Sequence, residues 1–207
     1  MNIALTGAAG FIGKILRAEL EKAGHKVYPC RTDDERFLPY TGEGCLIHCA
    51  RHHENITGEI TESKWQGEFE TDVMLPYFYT MNMVRANPKL NNIIFISSIY
   101  GIKVPTVRLI PVNYQVCKAA EIQLSKILAV NLAPKIRVNT VILGGVLSDR
   151  EVAEQTPEFR RAYETKTLLG HMVLPEEVAG AVKFLVSGES KGMTGASIVI
   201  DGGYTIC

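Results

Sequence analysis

Asn2-Ile3-Ala4-Leu5-Thr6-Gly7-Ala8-Ala9-Gly10-Phe11-Ile12-Gly13 runs from a short apolar stretch, through three spaced glycines, into a helical pattern that continues to about residue 23. Gly7 permits a tight turn, Gly10 lets the backbone approach a pyrophosphate, and Gly13 allows close helix–strand packing. The helix N-terminus adds unpaired N–H groups and the positive end of its dipole. Alone, such a pattern is equally a plain strand-to-helix turn. Its place at the start of an αβ-patterned chain is the context that makes it a dinucleotide-binding turn.

Outward from that turn, apolar strand-like runs alternate with amphipathic helical patterns. Strands are expected at about 2–6, 26–30, 45–50, 92–97, 136–142 and 197–200. Helices are expected at about 11–23, 65–86, 113–132 and 175–187, with a shorter segment near 149–164. The alternation signals an α/β, Rossmann-like doubly wound parallel sheet with helices on both faces, and 1–207 read as a single domain. Between Cys30 and Cys45 there is too little chain for the helix, strand and second helix that ordinarily separate two such strands. One βα unit of about 30 residues is therefore expected to be missing. The sheet should then have about six strands in the order 2-1-3-4-5-6. Residues 26–30 become an exposed edge, blunted by Lys26, Pro29 and the loop through Pro39.

Lys plus Arg and Asp plus Glu both number 22. With net charge zero, no global field favours nucleic acid or an anionic membrane as partner. No apolar run reaches the ~20 residues of a membrane helix, and Met1 leads into a strand rather than a signal peptide. The five cysteines, Cys30, Cys45, Cys49, Cys117 and Cys207, are odd in number and scattered, which suits reduced thiols in a cytoplasm. Cys45 and Cys49 lack a second cysteine pair to complete a zinc site and read as buried small residues, so no metal is expected.

At the end of the second strand, an acidic residue would bind the adenosine ribose hydroxyls and favour NAD. This sequence has Cys30-Arg31-Thr32 there. A guanidinium and a hydroxyl suit a 2′-phosphate, so NADP is expected. NAD is the alternative if Arg31 is a solvated surface residue and Asp33 or Asp34 contacts the ribose.

Tyr114-Gln115-Val116-Cys117-Lys118 opens a helix, with Tyr114 and Lys118 on one face at i, i+4. Ile93-Ile94-Phe95-Ile96-Ser97-Ser98 ends an apolar strand at the sheet edge where doubly wound folds bind ligands. These residue types suit hydride chemistry. A free phenol has a pKa of ~10, too high for a base at neutral pH. A neighbouring ammonium and a cationic nicotinamide both favour phenolate. Ser98 can hold the substrate oxygen, and Lys118 can also bind the cofactor ribose. Taken singly, Tyr-x-x-x-Lys is as readily the start of an amphipathic helix.

Glycine turn, Ser97-Ser98 and Tyr-x-x-x-Lys, in this order, resemble the short-chain dehydrogenase/reductase family. The likeness continues through Ile136-Arg137-Val138-Asn139-Thr140-Val141, Gly144-Gly145-Val146 and Ser148. Leu174-Pro175-Glu176-Glu177-Val178-Ala179 and the ending Gly195 to Asp201-Gly202-Gly203 also match. It covers most of the chain except about 31–45. It implies catalytic Ser98, Tyr114 and Lys118, with Asp72 at the place of the family's catalytic Asn, whose main-chain carbonyl holds a relay water. Cofactor contacts are implied at Gly7, Ala9, Gly10, Phe11, Ile12 and Gly13, at Arg31 and Thr32, and at Cys49, Ala50 and Arg51. Tyr114, Lys118, Gly144, Gly145, Val146 and Ser148 complete that set. The resemblance also implies substrate walls at 101–113 and 147–172, and a homodimer or homotetramer built on helices 65–86 and 113–132. Ser98-Ile99-Tyr100-Gly101 and the tail look most like members that modify flagellin or surface sugars.

Three departures stand out. The glycine spacing is that of the family's longer epimerases and dehydratases, while the tail is of the short reductase type. The usual Asn-Asn-Ala-Gly is His48-Cys49-Ala50-Arg51, and Asp72 brings a carboxylate that can pair with Lys118. Arg51-His52-His53-Glu54 reads as a solvated loop rather than a metal cluster, and His171 as either a substrate contact or a structural residue. The expected activity is NADP(H)-linked interconversion of a carbonyl and an alcohol with a small-molecule substrate. The alternatives are a nucleotide-sugar epimerase or dehydratase and a catalytically weak cofactor sensor or scaffold.

Overall fold

The computed structural model describes residues 1–31, 44–51, 59–105, 110–147 and 156–207. Its strands are β1 (Asn2–Thr6), β2 (Lys26–Cys30), β3 (Gly44–His48), β4 (Leu90–Ser98), β5 (Arg137–Leu143) and β6 (Ser197–Ile200). They form one six-stranded parallel sheet in the order β2-β1-β3-β4-β5-β6. The expected order is thus observed. Among the described residues β2 is an edge strand, and Lys26 lies over the ring of Tyr28, 5.1 Å from its centroid.

Each strand alternates between two cores, as the pleat requires. Ile3, Leu5, Cys45, Ile47, Ile94, Ile96 and Val141 face one side, where they meet α1 (Phe11–Lys22) and α6 (Pro175–Val186) through Leu16, Leu20, Val178, Val182 and Leu185. Ala4, Leu46, Ile93, Phe95 and Val138 face the other side. There they meet α3 (Leu75–Ala86) and α4 (Val112–Leu132) through Tyr79, Met83, Leu128 and Ala129. The inner strands β1, β3, β4 and β5 are therefore buried almost throughout, while the edge strands β2 and β6 expose Lys26, Pro29, Ser197 and Val199.

The single helix expected at 65–86 is three segments: α2 (Glu62–Phe69), a π-helical turn (Glu70–Met74) and α3. Thr61 caps the start, accepting from Lys64 N at 3.3 Å. Pro76 accounts for the widened turn. It has no N–H to give the Asp72 carbonyl four residues back, and its ring crowds that carbonyl in a regular helix. The π turn, a device common at functional sites, leaves Asp72 fully buried. Of the segment expected near 149–164, α5 (Pro157–Glu164) is described.

β2 and β3 flank β1 on opposite sides in the sheet, so the strand order reverses at β1. The crevice therefore opens at the C-terminal ends of β1 and β3, the switch point where doubly wound sheets take ligands. Among the described residues no helix is long and apolar enough to cross a membrane.

Candidate active site

Gly7 has φ +67°, and a Cβ there would lie 2.6 Å from Ala50 Cα. Glycine is required both by conformation and by the closeness of the segment after β3. Thr6 fastens the same junction: its hydroxyl accepts from Cys49 N at 3.1 Å and Ala50 N at 3.3 Å. A Cβ on Gly13 would lie 2.8 Å from Ala8 Cα, so this glycine packs α1 onto the turn itself rather than onto a strand. The 12-residue α1 starts at Gly10 with no side-chain cap and no acidic residue in its first turn. Among the described residues no side chain caps these first-turn N–H groups, and no acidic residue in the turn offsets the positive end of the helix. A pyrophosphate fits these residues by charge and by the closeness the glycines allow.

The segment after β3 links this turn to the catalytic side chains. The Arg51 guanidinium lies over the ring of Tyr114, 4.7 Å from its centroid, and Lys118 Nζ is 5.7 Å from the same centroid. Tyr114 stands in the first turn of α4, beside Asn113, whose amide donates to Lys64 O of α2 at 3.4 Å. Gly101 brings the 3-10 turn after β4 against α4. A Cβ there would lie 2.7 Å from the Lys118 carbonyl carbon. Ser97 donates to the Lys118 carbonyl oxygen at 3.1 Å, and Ser98 accepts from Tyr100 N at 3.3 Å.

Lys118 is buried between two carboxylates, Asp72 Oδ2 at 2.9 Å and Glu121 Oε2 at 3.2 Å. Burial opposes its charge, but Asp72 and Glu121 outweigh it and hold the ammonium well above its ordinary value. Glu121 moves the other way from an ordinary carboxylate. Burial, with Asp72 beside it, pushes it up to about 7 against the pull of Lys118. His48, at the end of β3, bonds to Thr80 at 2.8 Å, and burial pushes it down to about 3, so it stays a neutral structural residue.

On the far side, Val146 pairs with Val173, and Gly145 N donates to the Tyr163 hydroxyl at 2.5 Å. A Cβ on Gly145 would lie 2.8 Å from the Tyr163 ring, which explains the second glycine of that pair. Tyr163 stacks on Tyr204 at 4.8 Å, and Lys103 secures the tail by donating to Tyr204 O at 2.7 Å. Tyr100 shares this cluster; burial, Tyr204 and Tyr163 all raise its pKa. His171 bonds its neighbour's carbonyl, Met172 O, at 2.8 Å. It lines a cleft of about 450 Å³ with Leu168, Leu169 and Asp201.

The sequence-expected residues Gly7, Gly10, Gly13, Cys49, Ala50, Arg51, Tyr114, Lys118 and Asp72 thus form one connected group. Arg31 is exposed at the end of β2, while Thr32, Ser148 and His52 to Glu54 lie outside the described residues. Cys45 and Cys117 are buried and Cys49 is partly so. Sequence reasoning missed Glu121, Thr6, Tyr163 and Tyr204. Of these, only Glu121 carried a local signal, its i, i+3 spacing from Lys118.

A family model described as enoyl-(acyl carrier protein) reductase matches residues 44–205. The chain is 34% identical over 152 residues to a cyclopentanol dehydrogenase of Comamonas sp. (strain NCIMB 9872), covering 71% of this chain and 59% of that protein. It is 30% identical over 157 residues to glucose 1-dehydrogenase 2 of Bacillus subtilis (strain 168), covering 74% and 60%. The matched region thus spans about three fifths of these relatives. Among solved structures, a short chain dehydrogenase from Leptospira borgpetersenii with bound NAD+ superposes with a TM-score of 0.83 at 25% identity, covering 99% of this chain and 92% of that one.

Proposed function

The chain belongs to the short-chain dehydrogenase/reductase family, and from that premise we propose that it is an NADP(H)-dependent oxidoreductase interconverting a carbonyl and an alcohol on a small molecule. The observation that carries this reading is the continuity of the site. The glycine turn touches Cys49–Ala50, Arg51 follows and lies over Tyr114, and Tyr114 lies beside Lys118.

The first-turn N–H groups of α1 would hold the pyrophosphate. The dinucleotide, when bound, supplies or accepts the hydride. Ser98 holds the substrate oxygen by its hydroxyl. In reduction the Tyr114 hydroxyl gives its proton to that oxygen, and in oxidation the Tyr114 oxygen takes it back. The Lys118 ammonium stabilises the phenolate left behind. Gly144 and Val146 would border the nicotinamide, and the described parts of 101–113 and 147–172 would wall the substrate within a single domain; Ser148, also assigned to the nicotinamide, lies outside the described residues. NADP over NAD is supported by Arg31 and Thr32 replacing an acidic ribose partner. A homo-oligomer in the cytoplasm is supported by exposed apolar side chains on α2–α4 and by five cysteines that form no disulfide. Flagellin or surface sugars are the narrower substrate class suggested by Ser98-Ile99-Tyr100-Gly101.

Tyr114→Phe is the test. Removing the proton donor should lower turnover roughly 10²–10⁴-fold while dinucleotide affinity, measured calorimetrically, stays within a few-fold. Turnover close to the parent's across a carbonyl panel would refute the assignment. Arg51 over Tyr114 favours a second reading, a cofactor sensor with little catalysis. Dinucleotide binding by the parent without turnover of any carbonyl or alcohol would select it.

A further inference from the structure

Glu121 belongs to none of the spacings that define the catalytic group, yet it is one of two carboxylates on Lys118. An ammonium has three N–H donors. The ammonium makes an ion pair with Asp72 Oδ2 of the π turn at 2.9 Å and donates to Glu121 Oε2, three residues on in α4, at 3.2 Å. All three side chains are nearly inaccessible: Lys118 is 4% exposed, Asp72 0% and Glu121 1%. Two ionised carboxylates and one ammonium would bury a net negative charge, which costs several kcal/mol. A retained proton removes that charge.

We propose that Glu121 is a positioning residue of the active site. With Asp72 it fixes the Lys118 ammonium so that its third N–H is left for the Tyr114 side, and it carries the proton that keeps the buried cluster neutral. The catalytic half of this rests on the oxidoreductase reading; the proton-holding half does not. In the family's usual arrangement a water on a main-chain carbonyl attends the lysine. Here two side-chain carboxylates grip it directly.

The groups facing the cluster are Tyr114 and Cys117 from α4, Asp72 and Glu68 from the π turn and α2, Ser97 from β4, and Cys49 after β3, with Arg51 above Tyr114. Burial pushes the Cys49 and Cys117 thiols up to about 12, so both stay protonated through the neutral range. Glu121, pushed up to about 7, titrates within that range. Its folded-state value lies above the ordinary 4.5. It therefore adds stability that is full below that ordinary value and is lost as pH rises through about 7.

Glu121→Gln keeps the shape and the acceptor oxygen but removes the titration. Urea unfolding from pH 5 to 8.5 should show the parent's unfolding constant rising roughly ten- to a hundredfold more than the variant's. The pH profile of kcat should lose its inflection near neutrality in the variant, while substrate KM changes little. Equal stability slopes would overturn the retained proton. A slope difference with an unchanged kcat profile would overturn the positioning role. Should the variant not fold, carbon-13 titration of the glutamate carboxyls in the parent decides. One must titrate near pH 7, and uniformly ordinary values would overturn the proposal. A parent that turns over no carbonyl or alcohol refutes the oxidoreductase reading and with it the positioning role, while the stability slopes still test the proton.

Discussion

Arg31 and Lys118 are both cations near the ligand edge of the sheet, and their surroundings give them opposite tasks. Lys118 is enclosed by Asp72 and Glu121, so its charge is spent inside the protein. Arg31 is exposed at the end of the edge strand, where the proposed NADP(H) reading would set its guanidinium against the 2′-phosphate. Arg31→Ala should weaken NADP(H) binding by roughly tenfold or more, as a charge-assisted contact of about 1.5–3 kcal/mol implies, and NAD(H) binding little. Calorimetric titration of both cofactors against parent and variant checks it; equal losses would make Arg31 a surface residue. At this scale the local spacings were legible. Tyr114 and Lys118 at i, i+4 needed no structure, and Glu121 stood in view three residues on. The pairing of Asp72 with Lys118, expected from the departure at residue 72, is made at 2.9 Å; what could not be read was that Glu121 shares the same ammonium, because that depends on how helices distant in the chain pack.

The glycine turn shows how far an element can be read from its own residues. Gly7 and Gly24 both have positive φ, +67° and +84°, but a Cβ at Gly24 meets nothing within 4 Å while one at Gly7 strikes Ala50. Gly24→Ala should cost about 1–2 kcal/mol from backbone strain alone. Gly7→Ala should cost more and also weaken dinucleotide binding, since the collision displaces the segment carrying Arg51. Thermal melts and cofactor titration of the two variants separate strain from collision, and equal losses would remove the role given to Ala50. The helix expected at 65–86 is the counterexample. Its hydrophobic pattern gave no sign of the π turn, although Pro76 marked where a regular helix had to yield.

For the molecule as a whole, the apolar side chains left exposed on α2–α4 bear on assembly. Phe78 is 55% exposed and Val130 79% exposed, and Trp65, Phe69, Tyr77 and Val116 add to the apolar area on α2–α4. Such area on a monomer marks an interaction surface. Light scattering at micromolar concentration should give a homodimer or homotetramer, with Phe78→Lys shifting it toward smaller species; a monomeric parent would refute this use of the helices. The sequence by itself determined the parallel sheet, its strand order, the shortened passage from β2 to β3, the glycine turn and the Tyr114–Lys118 spacing. Each is set by short-range periodicity, chain length or the φ a glycine alone tolerates. Only the tertiary structure decided that Glu121 joins Asp72 on Lys118, that Arg51 covers Tyr114, and that Tyr163 fills the space above Gly145. These depend on which distant elements pack together, and burial then changes what the same charged groups do.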